Sequence, residues 1–327
     1  MTRMILHIGA SKTGTSAIQS FLALNADKLR RGGYIVPDIA LGLDGEIEGH
    51  QVWAFEQAQC DPRAALERLR LLINAAETRY SADATLVLSA ENLANNNGCH
   101  LLFKSIANQI PIDLVLYIRR QDEYLISAWQ QWYSKVHPDM SAWIFSEIGS
   151  LGNWRHCLQQ WETVVPQENI RVRVFERERL VGGDAITDFL DVTRIGVGTA
   201  GFSMPTKVVN PSFTEAVLRM AHESPALFRD AHDNDFYDML RDLTGDQFLK
   251  RPNESVFTHA QRAGIVQAYK EANNWVKDRY CPAFEGSLFR DVYKDDYLIL
   301  SQELIDREKW QIVLSMLHGL YKRILQV

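Results

Sequence analysis

Long apolar runs are missing from this chain of 327 residues. No stretch approaches the ~18 consecutive apolar residues of a membrane span. The apolar run at residues 4–9 is too short for the core of a signal peptide and leads into a loop instead of a cleavage site. Cytoplasmic residence without a membrane span is therefore expected. A basic excess is missing as well: 35 Lys and Arg against 41 Asp and Glu leave a formal charge of -6. That balance argues against a general nucleic-acid binder and leaves room for a local basic pocket. Cysteine is scarce, and Cys60, Cys99, Cys157 and Cys281 form no C-x-x-C pair and have no histidine at zinc-site spacing. Neither a zinc site nor a disulfide framework is expected, and the thiols are read as reduced and mostly buried. With 46% hydrophobic and 23% charged residues, the composition is that of a globular protein.

What is present begins at residues 5–22, ILHIGASKTGTSAIQSFL. An apolar run ends in a glycine-bearing turn, and Ala17, Ile18, Phe21 and Leu22 then follow the spacing of one helix face. Strand, loop and helix in this order place backbone N–H groups and the positive end of a helix dipole at the turn, an arrangement that binds anions. Gly9 and Gly14 permit the turn, Thr13, Thr15 and Ser16 offer hydroxyls, and Lys12 adds a positive charge. The nucleotide triphosphate loop G-x-x-x-x-G-K-[ST] has its lysine directly after the second glycine. Here Thr15 holds that place, and Lys12 stands two residues ahead of Gly14. The alternative reading is a plain strand-to-helix turn with a surface lysine.

Further strands are read at residues 32–37, 83–92, 112–120 and 170–176, the third a near-continuous apolar run that suits a strand buried on both faces. Helical patterns fall at residues 62–80, 99–109, 121–135, 153–164 and 184–190. This alternation predicts an α/β fold with a doubly wound parallel sheet. Residues 194–213 carry Gly, Ser and Pro without clear periodicity, so a boundary is placed near Val192. Residues 1–192 form the expected core. Residues 193–327 form a mainly helical C-terminal region, with helices at 214–222, 259–280 and 305–325, packed as its own domain or on the sheet.

The stretch HIGASKTGTSAIQSFL resembles the 5′-phosphosulfate loop of the sulfotransferases, most closely bacterial members with H-I-G-x-x-K-T-G-T-[ST]. The resemblance spans roughly residues 3–192. It implies transfer of a sulfuryl group from 3′-phosphoadenosine-5′-phosphosulfate to a hydroxyl or amine, with no metal required. It places Ser11, Lys12, Thr13, Gly14, Thr15 and Ser16 around the 5′-phosphosulfate, with Lys12 stabilising the leaving oxygen. The family's later arginine and serine, eight residues apart, match Arg119 and Ser127 in LYIRRQDEYLISAW and imply a 3′-phosphate site; Arg120 is the alternative by one register. Phe175 falls near the family's adenine-stacking aromatic. The R-K-G segment of many animal members has no counterpart here, and Lys207, Lys250 and Arg251 are the substitutes considered.

Transfer to an alcohol needs a base. Glu91, in LVLSAENLA, aligns with the family's catalytic histidine; its bland reading is a cap on the next turn. His50, in EGHQVWAF, is the second choice, with Glu48 orienting it or merely solvated, and its bland reading is a structural histidine. Trp53, Trp129, Trp132 and Tyr133 offer faces for a sugar ring or pack in the core. The expected acceptor is a carbohydrate, a glycolipid or a small natural product. Residues 232–246 are acidic and read as a solvated helix face rather than a metal site.

Overall fold

Short apolar segments, each too short to make a stable helix of its own, pair side by side into one sheet. In a computed structural model, which describes residues 1–80, 83–95, 98–136, 139–196, 201–206, 212–251 and 253–325, the strands are β1 (Arg3–His7), β2 (Tyr34–Ile35), β3 (Thr85–Ser89), β4 (Ile112–Ile118) and β5 (Ile170–Val174). Their order is β2-β3-β1-β4-β5 and every pairing is parallel. The interior strand β4 is buried from Leu114 to Ile118, as its unbroken apolar run requires, whereas β5 at the edge alternates. The α/β parallel-sheet reading is correct.

The chain forms two compact units. The first comprises Met1–Arg120, Asn153–Val209 and Lys270–Phe289 and contains the sheet; the second comprises Gln121–Gly152, Asn210–Tyr269 and Arg290–Val327 and is helical. Val192, near which the sequence places its single boundary, falls inside the first unit, and the chain passes between the units after Arg120, Gly152, Val209, Tyr269 and Phe289. Composition along the chain does not change at these points, since the core of each unit is assembled from distant segments.

In the first unit, Ile18, Phe21 and Leu22 of the helix Thr15–Leu24 and Phe189 of the helix Ala185–Thr193 pack with Val87 and Val115 of the sheet. Asp188, fully buried, accepts hydrogen bonds from the Tyr117 hydroxyl at 2.8 Å, Arg173 Nε at 2.8 Å and the Val181 amide at 2.9 Å. A buried carboxylate is tolerated only with such partners, and here they lock the helix Ala185–Thr193 onto β4 and β5. Burial and the Asp188 charge push the Tyr117 hydroxyl far up, so it remains a donor.

Several helical readings change in detail. Residues 99–109 form a 3-10 turn, Cys99–Phe103, and one α-turn, Lys104–Ala107, while the helix after β4 ends at Gln131. The stretch 259–280 is two helices, His259–Ala268 and Lys270–Tyr280, interrupted at Tyr269. In the second unit the Tyr269 hydroxyl donates to Leu151 O at 2.6 Å and accepts from the Gly149 amide at 2.9 Å, which pins the break. The helices Val52–Cys60 and Met140–Glu147 have no counterpart among the helical patterns read from spacing. Three of the thiols are buried and Cys60 is exposed; burial pushes Cys157 up to about 12.

Candidate anion and base site

In an open parallel sheet, ligands bind beyond the carboxyl ends of the strands where the chain order reverses. Here that point is β1, which has β3 on one side and β4 on the other. Just beyond these three neighbours stand Lys12, Glu91 and Arg119, respectively. Adjacent strands lie about 4.8 Å apart, so residues distant in sequence share one rim.

The loop between β1 and the first helix is built by its own side chains. Thr13 Oγ1 donates to Ala10 O at 2.5 Å, and Thr15 Oγ1 donates to the same carbonyl at 3.2 Å. Both threonines are buried, so their hydroxyls hold the loop from inside. Lys12 and Gly14 have φ of 68° and 80°, left-handed values. Such a conformation costs a lysine about 1–2 kcal/mol. The Arg119 guanidinium offsets this by donating from Nη1 to Lys12 O at 3.1 Å. Gly14 caps the helix Thr15–Leu24 without a side-chain hydrogen bond, and no acidic residue stands in the first turn. The dipole and leading amides are thus oriented toward an incoming anion.

Electrostatics follow from this placement. Burial, then the neighbouring Arg119 charge, lower Lys12 to about 8, partly countered by Glu91. Burial raises the Glu91 carboxyl, Lys12 pulls it down and Glu56 pushes it up. Two cations held close in a poorly solvated place are mutually destabilising, and a phosphate or sulfate between them relieves the cost. The site thus fits an anion and carries a carboxylate beside it. Glu91 opens a 3-10 turn, Glu91–Ala94, and makes no capping hydrogen bond as its N-cap residue is Ala90.

Beneath the loop, His7 is fully buried and burial lowers it to about 3, so it is neutral. Its Nδ1 lies 2.8 Å from Ser89 Oγ across the β1–β3 pair. A Cβ on Gly9 would stand 2.5 Å from His7 Nε2, which explains the glycine. The Ser89 amide donates to Gln51 Oε1 and the Gln51 amide to Ser89 O, both at 2.9 Å. Asn92 Nδ2 donates to Val52 O at 2.9 Å. These bonds lay residues 50–52 along residues 89–92, bringing the His50 and Glu91 segments together. His50 Nε2 is 3.5 Å from Glu48, and its buried Nδ1 has no partner among the described residues. Sequence reasoning missed Gln51, Ser89 and Glu56; only the histidine of H-I-G hinted at this layer.

The approach of this segment depends on Gly49, with φ of 78° and backbone packed on the first helix. A Cβ there would lie 2.0 Å from Gln19 O. Gly49→Ala is expected to destabilise the protein by about 3 kcal/mol or more, from strain plus overlap. Gly33, with φ of 84° and nothing within 4 Å of its would-be Cβ, isolates the backbone part, for which Gly33→Ala should cost about 1–2 kcal/mol. Urea unfolding compares the two, and equal losses would contradict the close approach at Gly49.

The remaining expected residues divide by unit. Arg119, partly buried, belongs to the first unit; Ser127, partly buried on the helix Gln121–Gln131, belongs to the second. Arg120 is buried. Phe175 follows β5, and its Cε2 would stand 2.9 Å from a Cβ on Gly14; the ring supports the loop from the β5 side. Lys207 lies outside the described residues. Arg251 is bound to Glu254 at 2.9 Å and Glu308 at 2.6 Å within the second unit. Trp129 is buried in that unit's core with Trp143 and Ile144, and with Glu215, Arg219 and His222 it lines a cavity of about 430 Å³. Tyr133 stacks on Trp143, and Trp132 packs on the same cluster. Of the aromatics considered for sugar stacking, Trp53 is exposed, with Arg68 over its ring.

In the acidic stretch, Arg229 engages Asp233 and Asp235, while Phe236, Tyr237 and Leu240 are buried, so the helix Asp235–Thr244 has a packed face as well as a solvated one. No group of three or more potential metal ligands occurs among the described residues. No described helix is long and apolar enough to cross a membrane.

No protein-family model and no curated protein sequence matches the chain. Among solved structures, it is similar to a sulfotransferase from Alicyclobacillus acidocaldarius, with TM-score 0.40 and 13% identity over 63% of this chain and 86% of that one. A likeness of that degree leaves the chemistry to be argued from the residues themselves.

Proposed function

We propose that this protein is a sulfotransferase that moves a sulfuryl group from 3′-phosphoadenosine-5′-phosphosulfate to a hydroxyl of a carbohydrate or glycolipid. The observation that carries the reading is the shared rim of Lys12, Glu91 and Arg119 at the ends of β1, β3 and β4, with Lys12 in a loop whose sequence resembles the family's. In this reading the acceptor oxygen attacks sulfur and its proton passes to Glu91. The bond from sulfur to the phosphate oxygen breaks, and Lys12 with the loop amides takes up the charge growing on that oxygen. Arg119 is assigned to the 3′-phosphate, on the resemblance, and also fixes the loop through Lys12 O. His50 is the second base candidate, carried on the segment beside Glu91. No metal takes part in the scheme.

Calorimetry tests the donor site with 3′-phosphoadenosine-5′-phosphate and with ATP plus Mg²⁺, in the native protein, Lys12→Ala and Arg119→Ala. The bisphosphate is expected to bind more tightly than ATP, and Arg119→Ala to weaken it by at least about tenfold, the size of one charge-assisted contact. Preference for ATP, or indifference to both substitutions, would overturn the proposal.

A further inference from the structure

The helix Gln302–Ile324 of the second unit carries two opposed apolar faces. One is used within the unit. Ile305 and Ile312 are buried against Val217, Phe236 and Leu240, and Gly319, seven residues further, lies where a Cβ would stand 2.4 Å from Leu243 O. Lys309 bonds to Glu223 at 2.7 Å and Arg323 to Asp242 at 2.6 Å. These contacts fix the rotation of the helix about its axis.

The other face is exposed. Trp310, Leu314, Leu317, Tyr321 and Ile324 are 70%, 63%, 57%, 58% and 73% exposed. Their spacing of 4, 3, 4 and 3 residues is that of a coiled-coil seam, and Ile305, Ile312 and Gly319 fall at the heptad position opposite it. Residues 310–321 contain no Asp, Glu, Lys or Arg. With the flanking Leu320 and Leu325, the seam offers on the order of 700 Å² of side-chain surface, close to what each partner gives to a stable interface and above the usual patch on a monomer.

The geometry points to a second copy of this chain as the occupant: the protein is a two-fold dimer whose helices 302–324 pair along this seam. A twofold interface must be self-complementary, and an antiparallel pair that sets Trp310 on the partner's Tyr321 also sets Leu314 on the partner's Leu317. A bilayer suits the face less well. Interfacial helices expose a basic face to lipid headgroups, whereas of the four Lys and Arg residues of this helix Lys309 and Arg323 are paired with acids, which leaves Arg307 and Lys322 some fifteen residues apart, and the chain carries a charge of -6.

Sedimentation velocity on the full chain at micromolar concentration is expected to give twice 37.4 kDa. Leu314→Glu with Leu317→Glu, at positions that contribute nothing to the unit's own core, should weaken the dimer about 100-fold or more and leave the circular dichroism unchanged. Leu101→Glu, at an exposed apolar residue of the first unit, should leave the mass doubled. A native mass of 37.4 kDa, a doubled mass that survives both glutamates, or monomer that pellets with phosphatidylcholine–phosphatidylglycerol vesicles would each overturn the inference.

Discussion

Glu91→Gln is expected to lower kcat by about 10²–10⁴-fold and to leave the affinity for 3′-phosphoadenosine-5′-phosphate within about threefold of native. The side chains are nearly isosteric, so the turn at Glu91–Ala94 keeps its shape, and the substitution removes only the proton acceptor and its charge. On the proposed assignment binding and turnover separate for this reason: Lys12 and Arg119 would still meet the phosphates, while the acceptor hydroxyl would lose its base. Because burial raises the Glu91 carboxyl, the native rate should climb with pH through a value above the ordinary glutamate range. The variant should show no such climb. Single-turnover assays across pH with a saccharide acceptor measure both features. Full activity in Glu91→Gln with its loss in His50→Asn would move the base to His50. Loss of donor binding in Glu91→Gln would make Glu91 part of the anion site instead.

Much of the sheet was legible because burial on both faces leaves a continuous apolar run, as in β4, and because the loop's glycines, threonines and lysine are contiguous in sequence. The position of Glu91 just past the end of β3 was legible for the same reason. Its neighbours were not. Glu56 and Gln51 belong to a helix and a loop held there by tertiary contacts, the close approach of Gly49 to Gln19 O and the hydrogen bonds between Gln51 and Ser89, which have no local signature. Nor does any pattern announce that Lys12 takes a left-handed conformation, because the Arg119 hydrogen bond that sustains it spans 107 residues. For Trp129 the sequence left a sugar-facing and a core reading open, and the core reading holds. Helical spacing places it on a face but does not say that Trp143 and Ile144 cover that face. The interleaving of the two units has no signature for a related reason: a chain that leaves one core for another keeps the same composition.

Lys12→Ala is expected to lower kcat/KM by about 10²–10³-fold, the loss found when one preorganised donor to a developing oxyanion is removed. The pH dependence distinguishes this role from simple attraction of the donor. A lysine must be protonated to stabilise the leaving oxygen, and burial with Arg119 holds Lys12 at about 8 in the free protein. Native kcat/KM should therefore be level below that pH and fall as pH rises through it, approaching tenfold per unit, since only the protonated fraction is competent. Together with Glu91 this gives a bell whose two limbs belong to the interacting pair, because each group shifts the other. Bound donor adds negative charge beside Lys12 and should carry the falling limb of kcat above that of kcat/KM. In Lys12→Ala the falling limb should vanish from the residual rate. If it stays in place, the titrating group is elsewhere and Lys12 serves only to hold the loop; if the limb vanishes but the rate is unchanged, its charge is not used in the transition state.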